Sequence, residues 1–322
     1  MHYLGFISMM VKIHQKMLDT LRDWLGVMAI WLCYLLIPLL PLKVSYAIAR
    51  TLAHASLRFL RRQRNTILGN MDVAFGNKMS EEEKMEIASE MVTNVFKGFF
   101  EAFYSASHFR KKVDGIVTIE GREHLDQALD RGKGVIALSA HFGNFTLLGT
   151  VMAKEHYPFY MVVRHPKSEL VAKAFQIFRD LSGQKTIATQ PWRECLRKML
   201  RCLRNNEIIC LITDENKRHG GVKVDFFGQD SSTAVGPAVF SLRTGAAIVP
   251  MFIIRQKDDT HKIIIEPSLE FALTGNQTED INRITSTFTG RIEQYIKAYP
   301  TQWFWLNRRW KKASTGDKHY RG

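Results

Sequence analysis

His141 closes an apolar run at 134–140 (GVIALSA) and is followed by Phe142, Gly143 and Asn144. An imidazole titrates near neutrality, and at a strand-to-helix turn it can take a proton from a hydroxyl. A lone histidine is more often a satisfied structural residue, so position carries this argument rather than residue type. A second polar cluster, Asp214-Glu215-Asn216-Lys217-Arg218-His219, follows the apolar run 207–213 (EIICLIT). In open α/β sheets ligands bind outside the carboxyl ends of strands, so these two strand ends are where a site is expected.

The elements that must position them read as follows. Apolar runs at 115–120, 134–140, 159–163, 207–213, 248–254 and 261–267 have strand length. Between and around them, 123–131, 145–155, 168–182, 192–205, 234–245 and 282–298 have helical spacing. Ser80-Glu81-Glu82-Glu83 is a capping box opening a helix through about residue 104, with Met85, Ile87, Met91, Val95 and Phe99 at core spacing. Strands alternating with helices imply an α/β fold: an αβα sandwich around a mixed, largely parallel sheet. Two regions are expected, an N-terminal helical region at 1–64 and a catalytic-size domain at 65–322.

The chain has 322 residues, 46% of them apolar, which excludes a disordered or low-complexity protein. Its 45 Lys and Arg against 31 Asp and Glu give a net charge of +14, which calls for an anionic partner: nucleic acid, membrane or phosphorylated substrate. Residues 24–42 (WLGVMAIWLCYLLIPLLPL) carry no charge, which is long enough to suggest membrane association, although Pro38 and Pro41 tend to end or kink a helix. A spanning anchor, a monotopic or hairpin insertion and a buried core helix all remain open. Arg50, Arg58, Arg61, Arg62 and Arg64 follow, a cluster suited to anionic headgroups and to a cytoplasmic position. Four cysteines with no CxxC pair argue against a disulfide framework or a zinc site, and neither a metal nor a cofactor is expected.

Several segments occur in a fixed order: SAHFGNF, VVRHPK, LITDEN, GVKVDFFGQDSSTAVGPAVFSLRTGAAIVP and PTQWFWLNRRWKK. With NMDVAF at 70–75, they resemble the lipid A biosynthesis acyltransferase family, the bacterial branch of the lysophospholipid acyltransferase superfamily. The resemblance runs from the N-terminal anchor to residue 312 and is strongest over 222–250. It implies an O-acyltransferase on the cytoplasmic face of the bacterial inner membrane. The donor would be an acyl thioester on acyl carrier protein or coenzyme A. The acceptor would be a hydroxyl of a phosphorylated glycolipid, such as a lipid A precursor, or of a lysolipid.

His141 falls on the family's catalytic histidine and would act as general base. Backbone N–H groups around Gly143 and Asn144 would receive the oxyanion. Arg164 matches a family arginine and would grip phosphate, the alternative being a surface salt bridge; Lys217 and Arg243 are further candidates for that task. Asp225–Gly228 resembles the family's FFG turn, and Thr233, Gly236 and Pro237 shape a helix start whose N–H groups suit an anion. Trp303, Trp305 and Trp310, interleaved with Arg308, Arg309, Lys311 and Lys312, suit a membrane interface.

The sequence departs from the family where a carboxylate belongs. The motif places Asp or Glu five positions after the histidine, and here Thr146 stands there. Either another carboxylate takes the role, with Asp214 and Glu215 the first candidates, or the chain is a weakly active or non-catalytic lipid-binding relative. Asn307 stands where the family often has histidine. A lysophospholipid or another glycolipid is the alternative acceptor. Nucleic-acid binding has only the net charge behind it, with no recognised module, and is set aside.

Overall fold

The computed structural model describes residues 2–109 and 111–310. The chain runs α1 (His2–Leu36), α2 (Leu42–Phe59), α3 (Arg61–Phe75), α4 (Glu81–Ala106), α5 (Lys111–Asp114), β1 (Val117–Glu120), α6 (Arg122–Asp130) and β2 (Val135–Ser139). It continues through α7 (Phe145–Lys154), β3 (Phe159–Val163), α8 (Glu169–Leu181), β4 (Lys185–Ala188), α9 (Trp192–Arg204) and β5 (Ile208–Ile212). The last elements are β6 (Gly221–Phe226), β7 (Gln229–Ala234), α10 (Gly236–Thr244), β8 (Ala247–Arg255), β9 (His261–Ile265) and α11 (Gln277–Ala298).

Seven strands form one sheet in the order β1-β9-β8-β2-β5-β3-β4. All neighbours pair in parallel except β8 and β9. The α/β fold expected from the alternating pattern is therefore present. Because successive strand residues face opposite ways, Ile136 and Leu138 of β2 enter one core and Val135 and Ala137 the other. Helices α9, α10 and α11 cover the first face, and α4, α6 and α7 the second.

Local chemistry explains most element ends. Ser80 Oγ accepts from Glu83 N while Glu83 Oε2 accepts from Ser80 N, so the expected capping box opens α4. Helix α11 starts at Gln277, earlier than its apolar spacing suggests, because Asn276 Oδ1 caps Thr278 N and Glu279 N. Strand β4 and the β6–β7 hairpin lie outside the apolar runs of strand length. Four residues are too few to display a period, and the hairpin is largely polar.

Met17–Leu39 is long and apolar enough to cross a membrane, and only 11% of its apolar window is buried. That excludes the buried core helix among the readings left open. The tail corrects another expectation. Trp303 and Trp305 are wholly buried and Trp310 nearly so, in the core beneath α11 and the hairpin rather than at an interface. Arg309 is buried as well: it lies 4.4 Å from the Phe226 ring centre and donates to Thr233 Oγ1 at 2.7 Å. Burial pushes its guanidinium down to about 10, against the charge of Asp214. Thr233 thus holds the tail through Arg309. Lys311 and Lys312 lie outside the described residues.

Candidate active site

Strands β2 and β5 are neighbours, and Ser139 pairs with Ile212. Two residues further on, both chains leave the sheet at the same level, one with His141 and the other with Asp214. That register brings together two residues 73 positions apart: His141 Nδ1 lies 2.9 Å from Asp214 Oδ1. The other carboxylate oxygen, Oδ2, accepts from the His141 backbone N at 3.1 Å, Trp303 Nε1 at 2.7 Å and Asn307 Nδ2 at 2.9 Å. Asn307 Nδ2 also lies 3.2 Å from His141 Nδ1. Asn70 donates to the carbonyls of Trp305 and Asn307, which holds this stretch of tail over the site.

Burial by itself would raise Asp214, but His141 and the donors around it outweigh this and hold the carboxylate below its ordinary range. Burial likewise opposes a charged His141, and the adjacent Asp214 prevails and raises it. A carboxylate so fully used as an acceptor stays ionised. It fixes the imidazole with Nδ1 as donor, leaving Nε2 as the nitrogen for a substrate. Glu215 sits on the same loop with its side chain exposed and acts on His141 through charge alone.

The turn after His141 is held by the tail. Phe304 N donates to His141 O at 2.9 Å and Gly143 N to Gln302 O at 2.8 Å, an antiparallel bridge centred on Phe142 and Trp303. The Gly143 N–H is therefore already engaged, which corrects its expected place as an oxyanion donor. Glycine is required there by a φ of +53° and by Ile253 O, which would lie 2.0 Å from an added Cβ. Asn144 is anchored from both sides. Thr146 Oγ1 donates to its Oδ1, and its Nδ2 donates to Glu101 Oε2 at 2.7 Å. Thr146 thus serves the neighbouring asparagine rather than His141. Phe145 and Thr146 open α7, and their N–H groups have no partner within the helix, whereas Leu147 N donates to Asn144 O at 2.9 Å.

Beside His141 opens a cavity of 360 Å³ with mostly apolar walls, among them Ile30 of α1, Phe99 and Phe103 of α4, and Phe175 and Phe178 of α8. Val95 and Phe99, expected in the core, line the cavity yet remain exposed, so they mark its open side. An ionised Asp, an oriented imidazole and an apolar slot can together deprotonate a hydroxyl beside a bound alkyl chain.

Of the residues singled out from sequence, the structure brings His141, Asp214, Gly143 and Asn144 together. Arg164 is exposed after β3 and Lys217 is exposed after β5; neither lines the cavity. Arg243 lies at the opposite end of the strands, in a hollow with Gly132, Lys133 and Arg204 at the amino ends of β2 and β8. Among the described residues, no group of three or more His, Cys, Asp or Glu could hold a metal ion. Sequence reasoning missed Trp303 and Glu101. The tail motif PTQWFWLN was the available signal for Trp303. Glu101 carried none, since an acid inside an amphipathic helix reads as surface.

Comparison with known proteins adds three findings. The model of the bacterial lipid A biosynthesis acyltransferase family matches residues 9–312. A phosphatidylinositol mannoside acyltransferase of Mycobacterium tuberculosis (strain CDC 1551 / Oshkosh) is 30% identical over 60% of this chain, and the match spans 59% of that relative's length. The lipid A biosynthesis lauroyltransferase and palmitoleoyltransferase of Escherichia coli (strain K12) are 24% and 25% identical, each over 91% of this chain and 92% of their own.

Proposed function

Since the chain belongs to the bacterial lipid A biosynthesis acyltransferase family, we propose that it moves a fatty acyl chain from a thioester to a hydroxyl of a glycolipid such as a lipid A precursor, with His141 as general base. Acyl carrier protein or coenzyme A is the donor. The observation that carries this reading is the His141–Asp214 pair opening onto an apolar cavity. Nε2 takes the proton of the acceptor hydroxyl, and the oxygen attacks the thioester carbonyl. Asp214 offsets the charge that forms on the imidazole. The N–H groups of Phe145 and Thr146, at the start of α7, receive the developing oxyanion. The tetrahedral intermediate then collapses to the ester, and the departing thiolate takes the proton back from Nε2.

The mostly exposed apolar segment Met17–Leu39, the exposed Val44, Ile48 and Leu52 of α2, and the arginines that follow support attachment to an anionic bilayer. Helix α1 also supplies Ile30 to the cavity wall, so the acyl slot borders the membrane-facing helix. The catalytic domain then sits on the cytoplasmic face of the inner membrane. A second acceptor class, a phosphorylated mannolipid, is favoured by the match to the mycobacterial relative. The non-catalytic reading is disfavoured because Asp214 provides the carboxylate that Thr146 lacks.

Lipid mass spectrometry of cells with and without the gene tests the reading. The expected result is one missing acyl chain on one glycolipid, restored by the intact gene and not by His141→Ala. An unchanged lipid profile would overturn it.

A further inference from the structure

Arg179 is out of place in the cavity. It belongs to the last turn of α8, one turn beyond Phe175, whose ring centre is 5.9 Å from its guanidinium. Its Nη1 is fully buried with no hydrogen-bond partner. The adjacent acid, Asp180, instead accepts from Gln176 Nε2 at 2.8 Å. The backbone carbonyl of Arg179 accepts from Ser182 N and Gln184 N, so the main chain here is fixed. The side chain lines the same cavity as His141.

A structural arginine would carry a carboxylate or carbonyl on its guanidinium, and a solvated one would turn both Nη atoms to water. Arg179 is half-buried, and its Nη1 is closed off from water without either kind of partner. A cation stripped of water costs free energy unless an anion meets it. Burial holds Arg179 below its usual value, with only Asp180 opposing, and burial together with the Arg179 charge holds the neighbouring His165 down. Its field therefore reaches the segment after β3. Asp180 acts on it only through charge, with its carboxylate bonded to Gln176, so Nη1 is left for an anion that arrives and leaves with a ligand. In apolar surroundings a guanidinium bonds phosphate oxygen strongly and directionally.

We infer that Arg179 is the anion-binding residue of the cavity and takes a phosphate oxygen of a substrate whose alkyl chain lies against the phenylalanines. The identity of that substrate rests on the proposed acyl-transfer reading; the binding of phosphate rests on the geometry alone. Two sources share this chemistry: the phosphate of the donor's pantetheine arm and a headgroup phosphate of the acceptor.

The test is equilibrium binding by the full chain in detergent micelles, which needs no turnover. The probes are lauroyl-coenzyme A against the phosphate-free lauroyl-N-acetylcysteamine, and a phosphorylated lipid A precursor against its dephosphorylated form. Arg179→Gln is expected to weaken the phosphorylated member of one pair by roughly tenfold or more and to leave its phosphate-free member unchanged. Arg179→Lys should recover part of the loss. The affected pair names the source. Because the glutamine removes a half-buried charge with no ion-pair partner among the described residues, the melting temperature should hold or rise. Equal weakening of both members of each pair, no weakening at all, or a fall in melting temperature with unchanged binding overturns the inference. Acyl transfer measured in the same micelles tests the proposed function separately. A wild-type chain that binds the phosphorylated probe through Arg179 but transfers nothing would sink that reading and leave this one standing.

Discussion

Two histidine–carboxylate pairs of almost equal length behave in opposite ways. His141 and Asp214 are 2.9 Å apart; His261 and Glu101 are 3.0 Å apart. The first imidazole keeps 24% of its side-chain surface accessible, and the second keeps none. Glu101 also receives both terminal nitrogens of Arg255, at 2.7 and 3.0 Å, together with Tyr46 Oη and Asn144 Nδ2. Burial would raise this acid, yet Arg255 and His261 outweigh burial and hold it low, and the same carboxylate helps push Tyr46 up. The sealed pair ties α2, α4, β8 and β9 to the turn that bears His141, through Asn144. What separates a site from a brace is not the pair itself but whether one nitrogen is left facing a cavity.

That contrast can be broken experimentally. His141→Ala should lower transfer about 10²–10⁴-fold and lower the melting temperature less than Glu101→Gln does, because Asp214 keeps its donors from Trp303, Asn307 and the main chain and the lost ring bordered open space. Glu101→Gln should do the reverse in kind. It leaves Arg255 short of its counter-charge in a dry interior, costing on the order of 3–5 kcal/mol of stability in denaturant unfolding, with activity falling only as the fold does. If Glu101→Gln unfolded normally and yet abolished transfer, the division into site and brace would be wrong.

The pH dependence sharpens it further. Transfer needs neutral His141, whose pKa is raised, so the acid limb of the rate profile should lie above about 6.5. The stability from that raised pKa is fully present below about 6.5 and is lost as pH rises through the folded value, so activity appears as this contribution fades. Asp214→Asn leaves burial as the dominant influence and should move the acid limb to lower pH. It should also cut the rate by a factor of tens, through the lost compensation of the imidazolium. An acid limb that does not move would mean that Asp214 does not set the histidine. The smallest effect is expected from Thr146→Val. It removes one hydroxyl bond to Asn144, worth about 1 kcal/mol, and transfer should fall by less than roughly tenfold.

Much of this was readable from the chain. β2 and β5 announce themselves as apolar runs, and the polar residues after them mark the site. The capping box placed α4 in advance. The tail was misread because its tryptophans and arginines have the composition of a membrane interface, whereas here Arg309 lies against Phe226 beneath the hairpin and its charge is shared among buried oxygens. Asn307, which looked like a lost histidine, donates to Asp214, a contact that no local pattern encodes.

From its residues alone the chain determined its alternation of strands and helices, its apolar N-terminal segment and the presence of an imidazole at a strand end, because each depends on neighbours a few positions away. Only the tertiary structure decided which carboxylate meets His141, which histidine is sealed and which arginine turns an unpartnered nitrogen into the cavity. Those outcomes depend on strand order and register. The sheet lays β2 beside β5, and the chain between them must cross to β3 and β4 before it returns.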